Sequence, residues 1–457
     1  MQYFISHQCT IIENTDSYTL FNWENGQEVH ILKNLIHLVS DDRISFEQNF
    51  EKKNIEYLLL NRFIFASYSE NVIKQRLIEI IDKQKENIKI TLMPGGYGCN
   101  FRCKYCYESH DNIKGYGEKE LNYFVKLIKS LKGKILIDFF GGEPLLNYKW
   151  IKALITNLNS LHDLPAIQYS MTTNGYLLDR EKISYLVNSG VKTFQITVDG
   201  VEETHNKLRP LKNGGESWAK IIENLKIFKE LDNFFKVIIR INYNSTSLDK
   251  EKLCKFLETL SFAKKDIRFK FIFRAIGDYS GINSSIQKHE ENKDTSQQKN
   301  ETFLRAFEFL NILLDNGFFA EDIDTLTRPA GLVCYASFPQ NLVINGEGEI
   351  LRCTVAVDQG YNKFGKINYS DNNYSLQIND KQLAEWKNAL KWESKCYKCR
   401  LLYQCLGMNC PVKNIANNCS ACPPIANYAD KILKLVLKQK QLVMNILGGR
   451  LKQKDHD

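Results

Sequence analysis

The stretch "GYGCNFRCKYCYES" places Cys99, Cys103 and Cys106 within eight residues, spaced C-x3-C-x2-C. Thiols grouped this tightly bind metal or do redox chemistry. A closed structural zinc site takes four protein ligands, and so does a cubane ligated wholly by protein. Three thiolates leave one corner for a distant residue or a small molecule. A second stretch holds Cys334, then Cys353 in "GEGEILRC", Cys396, Cys399, Cys405 and Cys410 in "CYKCRLLYQCLGMNC", and Cys419 and Cys422 in "NCSACPP". Its two C-x2-C pairs also allow a zinc ribbon. Only Cys9 and Cys254 of the 13 cysteines stand apart, and both read as small apolar residues. An odd cysteine count with no export signal speaks against a disulfide framework.

Three further segments could serve the same site. "GGEP", Gly141 to Pro144, offers two residues without a Cβ, so that backbone can approach a ligand. Its Glu143 is a carboxylate suited to an ammonium group, and Pro144 stiffens the turn. "TTNG" brings Thr173 and Asn174, and "TVDG" begins with Thr197. Each alone also reads as an ordinary turn. Their shared position carries more weight. "IKITLM", "KILIDFF", "IQYSMT", "KTFQITV", "KVIIRINY" and "IRFKFIF" read as strands, separated by amphipathic helical stretches such as "KELNYFVKLIKSL" and "SWAKIIENLKIFKEL". Asp179 and Ser247 are expected to cap two of the helices. Such alternation predicts a parallel sheet with helices outside. The cysteine loop and the three segments then follow its first four strands and fall on one rim, where parallel α/β sheets carry their chemistry. Six units are too few to close a barrel, so the expected fold is α/β, a partial (β/α)6 barrel.

Together these residues resemble the radical S-adenosylmethionine enzymes. The resemblance covers residues 88 to about 275 and rests on "CNFRCKYCYE", "FGGEPLLN", "TTNG", "TVDG" and "HNKLRP". It implies that Cys99, Cys103 and Cys106 hold a 4Fe–4S cluster whose fourth iron is chelated by S-adenosylmethionine, the missing ligand. Tyr105, Gly141, Gly142, Glu143, Pro144, Thr173, Asn174, Thr197 and Arg209 become candidate cosubstrate contacts. The later cysteines resemble a SPASM domain, through G-x4-C at Gly348 to Cys353 and C-x2-C-x5-C at Cys396 to Cys405. The interval before Cys410 is x4, where that family's pattern has x3. The resemblance gives Cys334, Cys353 and Cys410 to a first auxiliary cluster. It gives Cys396, Cys399, Cys405 and either Cys419 or Cys422 to a second. Three 4Fe–4S clusters are expected in all.

The chain has 457 residues, 43% hydrophobic and 25% charged, with a net charge of +8. That is ordinary for a soluble protein of two or three domains. No run is long and apolar enough to span a membrane, and no signal peptide is legible, so a cytoplasmic location is expected. The expected division is an α+β N-terminal domain (1–87), the radical domain (88–276), a mobile loop and bridging helix (277–333), the cysteine-rich domain (334–430) and a basic tail (431–457). That tail reads as a solvated amphipathic helix, and neither membrane nor nucleic acid is expected as a partner.

Enzymes of the resembled class mostly modify peptides or proteins. Residues 1–87 have the size and strand–helix mixture of a leader-binding domain, which adds a peptide strand to a sheet edge. The reading is therefore a maturase of a ribosomally made peptide, with a thioether crosslink as the expected product. A precursor peptide with a leader and a flavodoxin- or ferredoxin-like electron donor are its expected partners. Sulfatase-maturase-like chemistry is the alternative, and a non-catalytic iron–sulfur or zinc scaffold is the rival from another class.

Overall fold

The computed structural model describes residues 2–454, except 40–42, 67–69, 109, 111–113, 163, 277–295, 339, 358, 370–373, 389–393, 408–409, 413–414, 416–421 and 423. Most of the expected mobile loop thus lies outside the described residues, as does Cys419. The chain divides into two compact units. One comprises Met1–Lys85, Ile323–Phe338 and Trp386–Val436, and the other Glu86–Asp322, Pro339–Glu385 and Leu437–Asp457.

In the first unit, β1 (Gln2–Ile5), β2 (Cys9–Glu13), β3 (Ser17–Asn22), β4 (Gln27–Leu32), β5 (Ile36–Val39) and β6 (Arg43–Phe46) precede α1 (Lys52–Leu60), β7 (Ile64–Phe65) and α2 (Glu70–Lys85). They form two antiparallel sheets, ordered β5-β6-β1-β7 and β2-β3-β4. Leu20, Ile31, Ile44, Phe63 and Ile64 are among the buried residues of the core of this region. The buried stripe of α2 turns elsewhere. Ile73, Leu77 and Ile80, spaced at helical intervals, pack with Tyr397, Leu402, Tyr403 and Leu406, and Cys396 and Cys399 lie against the same cluster. The Gln404 amide donates to the Trp23 carbonyl, and that of Gln8 to the Cys399 carbonyl at 3.5 Å. A cysteine-rich segment with few apolar residues of its own thus borrows its core from α2.

The second unit runs β8 (Asn87–Leu92), α3 (Glu118–Ser130), β9 (Lys134–Phe139), α4 (Tyr148–Asn159), β10 (Ile167–Thr173), α5 (Arg180–Asn188), β11 (Val191–Thr197), α6 (Glu202–Leu208), α7 (Trp218–Lys229), β12 (Lys236–Tyr243), α8 (Lys250–Thr259) and β13 (Phe269–Ala275). These six strands are parallel and lie in chain order. Asn341–Ile344 extends the sheet beside β8, and Phe319–Ala320 beside β13. Crossovers of one hand that all step in one direction put every helix on the same face. Alternation along the strands shows the consequence. Ile90, Leu92, Ile135, Ile137, Phe139, Phe194, Ile196, Val237, Ile239, Ile241, Phe269 and Phe271 point to one face and are at most 2% exposed. The opposite face is polar, with Lys89, Asp138, Ser170, Thr172, Gln195, Thr197, Arg240 and Asn242. A doubly wound sheet would be apolar on both faces.

Helix boundaries follow local chemistry. Asp179 caps α5 as expected, its carboxylate accepting from Lys182 N at 2.8 Å. The α8 cap is Asp249, accepting from Lys252 N at 2.9 Å, and not Ser247. Ser247 instead accepts from Asn244 N in the preceding turn. No helix among the described residues is long and apolar enough to cross a membrane.

Candidate active site

One cavity at the C-terminal ends of β8 to β13 is lined by Cys99, Cys103, Tyr105, Cys106, Gly141, Gly142, Thr173, Asn174, Thr197 and Arg209. The sequence reading spread these residues over 110 positions, and the sheet gathers them on one rim. Backbone contacts hold the cysteine loop in place. Arg102 N and Lys104 N donate to Pro210 O and Leu208 O, each at 2.9 Å, and Lys212 N donates to Asn100 O at 2.8 Å. The "HNKLRP" segment thus clips the loop from one side.

The GGEP turn clips it from the other. Gly142 N donates to Gly96 O at 3.2 Å, and Glu143 N to Gly98 O at 2.8 Å. A Cβ on Gly142 would stand 2.3 Å from Gly98 O, and one on Gly141 2.5 Å from Gly96 O. The space the glycines leave is therefore filled by the cysteine loop's own backbone. Glu143 and Pro144 do not line the cavity. The Glu143 carboxylate is fully buried and accepts from Thr173 Oγ1 at 2.8 Å, Asn174 N at 2.8 Å and Leu145 N at 3.0 Å. Burial pushes its pKa up to about 7 against these donors and the Arg209 guanidinium. In this structure Glu143 ties GGEP to TTNG.

Tyr105 is fixed through its hydroxyl. It donates to Asp199, and it accepts from Arg209 Nη1 at 2.8 Å and Asn242 Nδ2 at 3.0 Å. Asp199 also accepts from Asn242 N at 2.8 Å. Its own N–H donates to His205 Nδ1 at 3.1 Å. The His205 proton is therefore on Nε2, facing Ser217 Oγ at 3.1 Å, and Ser217 donates to the Arg209 carbonyl at 3.0 Å. Burial holds His205 well below the usual histidine range, so it is neutral. This chain of bonds places a charged guanidinium beside the cysteine loop, over the Phe101 ring at 5.4 Å. Burial pulls the Arg209 pKa down, but Cys103, Tyr105 and Asp199 hold it well above the ordinary value.

The sulfur atoms sort the cysteines. Cys99 Sγ accepts from Phe101 N at 3.4 Å, and Cys353 Sγ from Val355 N at 3.3 Å. The backbone N–H groups of Glu108, Leu401 and Gly407 likewise act to lower the pKa of Cys106, Cys399 and Cys405. In each, the donor is two residues ahead, an arrangement that stabilises a thiolate. Cys9 does the opposite. Its buried Sγ faces the carbonyls of Phe63 at 3.7 Å and Arg62 at 4.0 Å, so it is a thiol donor. Burial pushes Cys99 up to about 12 and raises Cys103 and Cys106 as well, and a bound cationic metal core reverses that penalty. The buried Arg209 Nε and Asn100 Nδ2 have no hydrogen-bond partner. Among the described residues no three His, Cys, Asp or Glu side chains converge on one ion. The three thiols, the N–H donors to sulfur and the orphaned donors fit a cluster with a polar cosubstrate.

In the first unit, Cys405 is raised by burial to about 11 and feels Cys399, Cys396 and Cys422. Cys399 feels Cys396 and Cys422 too. Cys419 is not among the described residues. Cys334 and Cys410 belong to this unit and Cys353 to the other.

Several cavity residues had no sequence signal of their own. Glu108, pushed up to about 8 by burial, and His110, whose Nδ1 donates to Tyr97 O at 2.9 Å, follow the third cysteine. Gln195, Arg240 and Asn242 sit on strand interiors that read as ordinary alternation; the polar side of that alternation was the available sign.

Residues 93–263 match the family model described as the Radical SAM superfamily. The chain is similar to the radical SAM cyclopropyl synthase TigE of Paramaledivibacter caminithermalis, at 29% identity over 48% of this chain and 46% of that protein. It is also similar to a cysteine-type anaerobic sulfatase-maturating enzyme of Clostridium novyi, at 24% identity over 69% of this chain and 85% of that protein. A solved structure of anSMEcpe with bound AdoMet and a Kp18Cys peptide shares the fold, with a TM-score of 0.59 and 18% identity over 79% of this chain and 99% of that one. The cysteine loop, its two backbone clips and the matching family model together make this sheet a radical SAM domain, whose chemistry uses S-adenosylmethionine and a 4Fe–4S cluster.

Proposed function

We propose that the chain is a peptide maturase that takes a hydrogen atom from a precursor peptide and forms a crosslink, with a thioether as the favoured bond. When bound, the reduced cluster and S-adenosylmethionine supply a 5′-deoxyadenosyl radical able to attack an unactivated C–H bond. The protein's own share is position and exclusion. Cys99, Cys103 and Cys106 hold the cluster, Tyr105 and the Asp199 network fix the loop, and Arg209 supplies a buried positive charge. Gly141, Gly142, Thr173, Asn174 and Thr197 shape the cosubstrate wall, braced from behind by Glu143 and Pro144.

The observation that carries the peptide reading is the polar strand face, whose Gln195, Arg240 and Asn242 line the same cavity as the three thiols. The names of the similar proteins agree with it, since one matures sulfatases and a solved neighbour holds a peptide. The first unit supports a leader. Strand β5 is a sheet edge with Leu38 and Val39 exposed, a place for an extended peptide to add. Two auxiliary 4Fe–4S clusters are proposed, one on Cys334, Cys353 and Cys410, the other on Cys396, Cys399, Cys405 and Cys422. Cys422 acts on both Cys399 and Cys405, which agrees with its being the last ligand, and Cys419 is the other candidate. An external flavodoxin- or ferredoxin-like donor would supply electrons in the cytoplasm. Sulfatase-maturase-like oxidation of a protein side chain is the second reading, favoured by the 85% coverage of the Clostridium novyi enzyme.

The test is to co-express the chain anaerobically with short peptides encoded beside its gene and to read their masses. Loss of two hydrogens per crosslink, placed by fragmentation on a cysteine and a second residue, supports the maturase. Unchanged peptides together with oxidation of a sulfatase would transfer the assignment to the second reading.

A further inference from the structure

Arg240 projects from β12 onto the polar face, level with Thr197 on β11 and Ile272 on β13. It is half-buried and lines the same cavity as the three thiols. Its Nε donates to Asn242 Oδ1 at 2.9 Å, which fixes the plane of the guanidinium and leaves both Nη groups for other acceptors.

Four other cations on this face have carboxylate partners. Lys89 pairs with Asp138 at 2.9 Å, Lys236 with Glu321 at 2.6 Å and Arg274 with Asp322 at 2.7 Å. Lys270 shares Glu321 at 3.9 Å. Arg240 has no carboxylate partner among the described residues. Asp199 feels its charge, but the Asp199 oxygens already accept from Tyr105 and Asn242. A guanidinium partly withdrawn from water without a counter-charge is costly. Its planar fork fits a carboxylate.

S-adenosylmethionine carries one carboxylate, and the cavity holds two guanidiniums. Arg209 stands against the cysteine loop, acts on Cys103 and keeps a buried, unpartnered Nε. It is the one placed for the cosubstrate. Arg240 is the surplus.

We propose that Arg240 anchors a carboxylate of the molecule that gives up the hydrogen atom, an acidic side chain or a free C-terminus of a peptide. The proposal rests on the peptide reading above. It makes Arg240 a specificity residue, with no part in holding the cluster or the cosubstrate.

The test uses the reconstituted full-length protein, wild type, Arg240→Lys and Arg240→Gln, with iron content confirming that each variant is loaded. Equilibrium dialysis reads S-adenosylmethionine affinity. Saturation-transfer NMR, with the cosubstrate bound, reads four probes. These are N-acetylglutamate α-amide, N-acetylglutamine α-amide, N-acetyl-diglycine with its free C-terminus, and glutarate. Cosubstrate affinity should stay within about twofold in both variants, and a carboxylate probe should lose roughly tenfold or more in Arg240→Gln. Arg240→Lys should fall between, since it keeps the charge and loses the fork. The glutamine probe should not bind. Preference for the glutamate or the diglycine probe tells side chain from C-terminus. Arg240-dependent binding of glutarate alone would keep the carboxylate site and sink the peptide reading. A roughly tenfold loss of cosubstrate affinity in Arg240→Gln would give the carboxylate to S-adenosylmethionine and overturn the proposal. Carboxylate probes that bind Arg240→Gln as well as wild type, or that never bind wild type, would overturn it too.

Discussion

Replacing Glu143 by Gln changes one oxygen to an NH2 group and little else in shape. In the native structure Oε1 accepts from Thr173 Oγ1 and Leu145 N, and Oε2 accepts from Asn174 N. The amide can keep the two bonds at Oε1. Its NH2 then faces the Asn174 N–H, donor against donor, at a residue only 6% exposed. A buried donor left unmet costs roughly 1–3 kcal/mol. If that cost falls on the ordering of the TTNG turn, S-adenosylmethionine affinity drops by roughly 5- to 150-fold. Iron content should hold, because the bonds from GGEP to the cysteine loop are made by the Gly142 and Glu143 backbone. Equilibrium dialysis on the anaerobically reconstituted variant gives the affinity, and an iron assay gives the control. Unchanged affinity with full iron would refute the claim that Glu143 acts by tying the two turns together.

Gly142→Ala places a Cβ 2.3 Å from Gly98 O, so it should displace the cysteine loop and abolish 5′-deoxyadenosine formation in a protein with native circular dichroism. Leu77→Ala removes a fully buried side chain from the core under Cys396 and Cys399. At about 2–5 kcal/mol for such a truncation, iron quantitation should show loss of auxiliary cluster occupancy, with the radical cluster's electron paramagnetic resonance signal retained. Cys422→Ala should lower the iron count while Cys9→Ala leaves it intact, because Cys9 is a buried thiol donor to carbonyls. The double variant Cys396→Ala, Cys399→Ala should stop peptide modification and leave part of the uncoupled 5′-deoxyadenosine formation, provided circular dichroism shows a native fold. Wild-type crosslinking by that variant would remove any catalytic or electron-relay role for the cluster.

The radical sheet was legible because each of its strands and helices carries its own period, and because Gly141 and Gly142 stand where only glycine fits. The rim followed from strand order alone. What the residues at the rim do was less legible. The three internal donors to Glu143, and the close approach of the cysteine loop's backbone to Gly141 and Gly142, are contacts between distant segments that no local pattern reports. Asp199 and His205 act through contacts with Tyr105, Asn242, Ser217 and the Arg209 segment, which no local pattern reports. The α8 cap was misplaced by two residues because Ser247 and Asp249 both suit a helix start, and the first is used in the turn before it. The cysteine-rich segment looked short of core because its partner, α2, lies over 300 residues earlier in the chain.

The most direct test of the central claim compares wild type with the variant in which Cys99, Cys103 and Cys106 are all Ala, each reconstituted anaerobically with iron and sulfide, reduced with dithionite and given S-adenosylmethionine. Wild type should release 5′-deoxyadenosine. The triple variant should release none while keeping the iron held by the later cysteines. Formation of 5′-deoxyadenosine by the triple variant, or none by a wild-type protein fully loaded with iron and sulfide, would contradict the assignment of this loop as a radical centre.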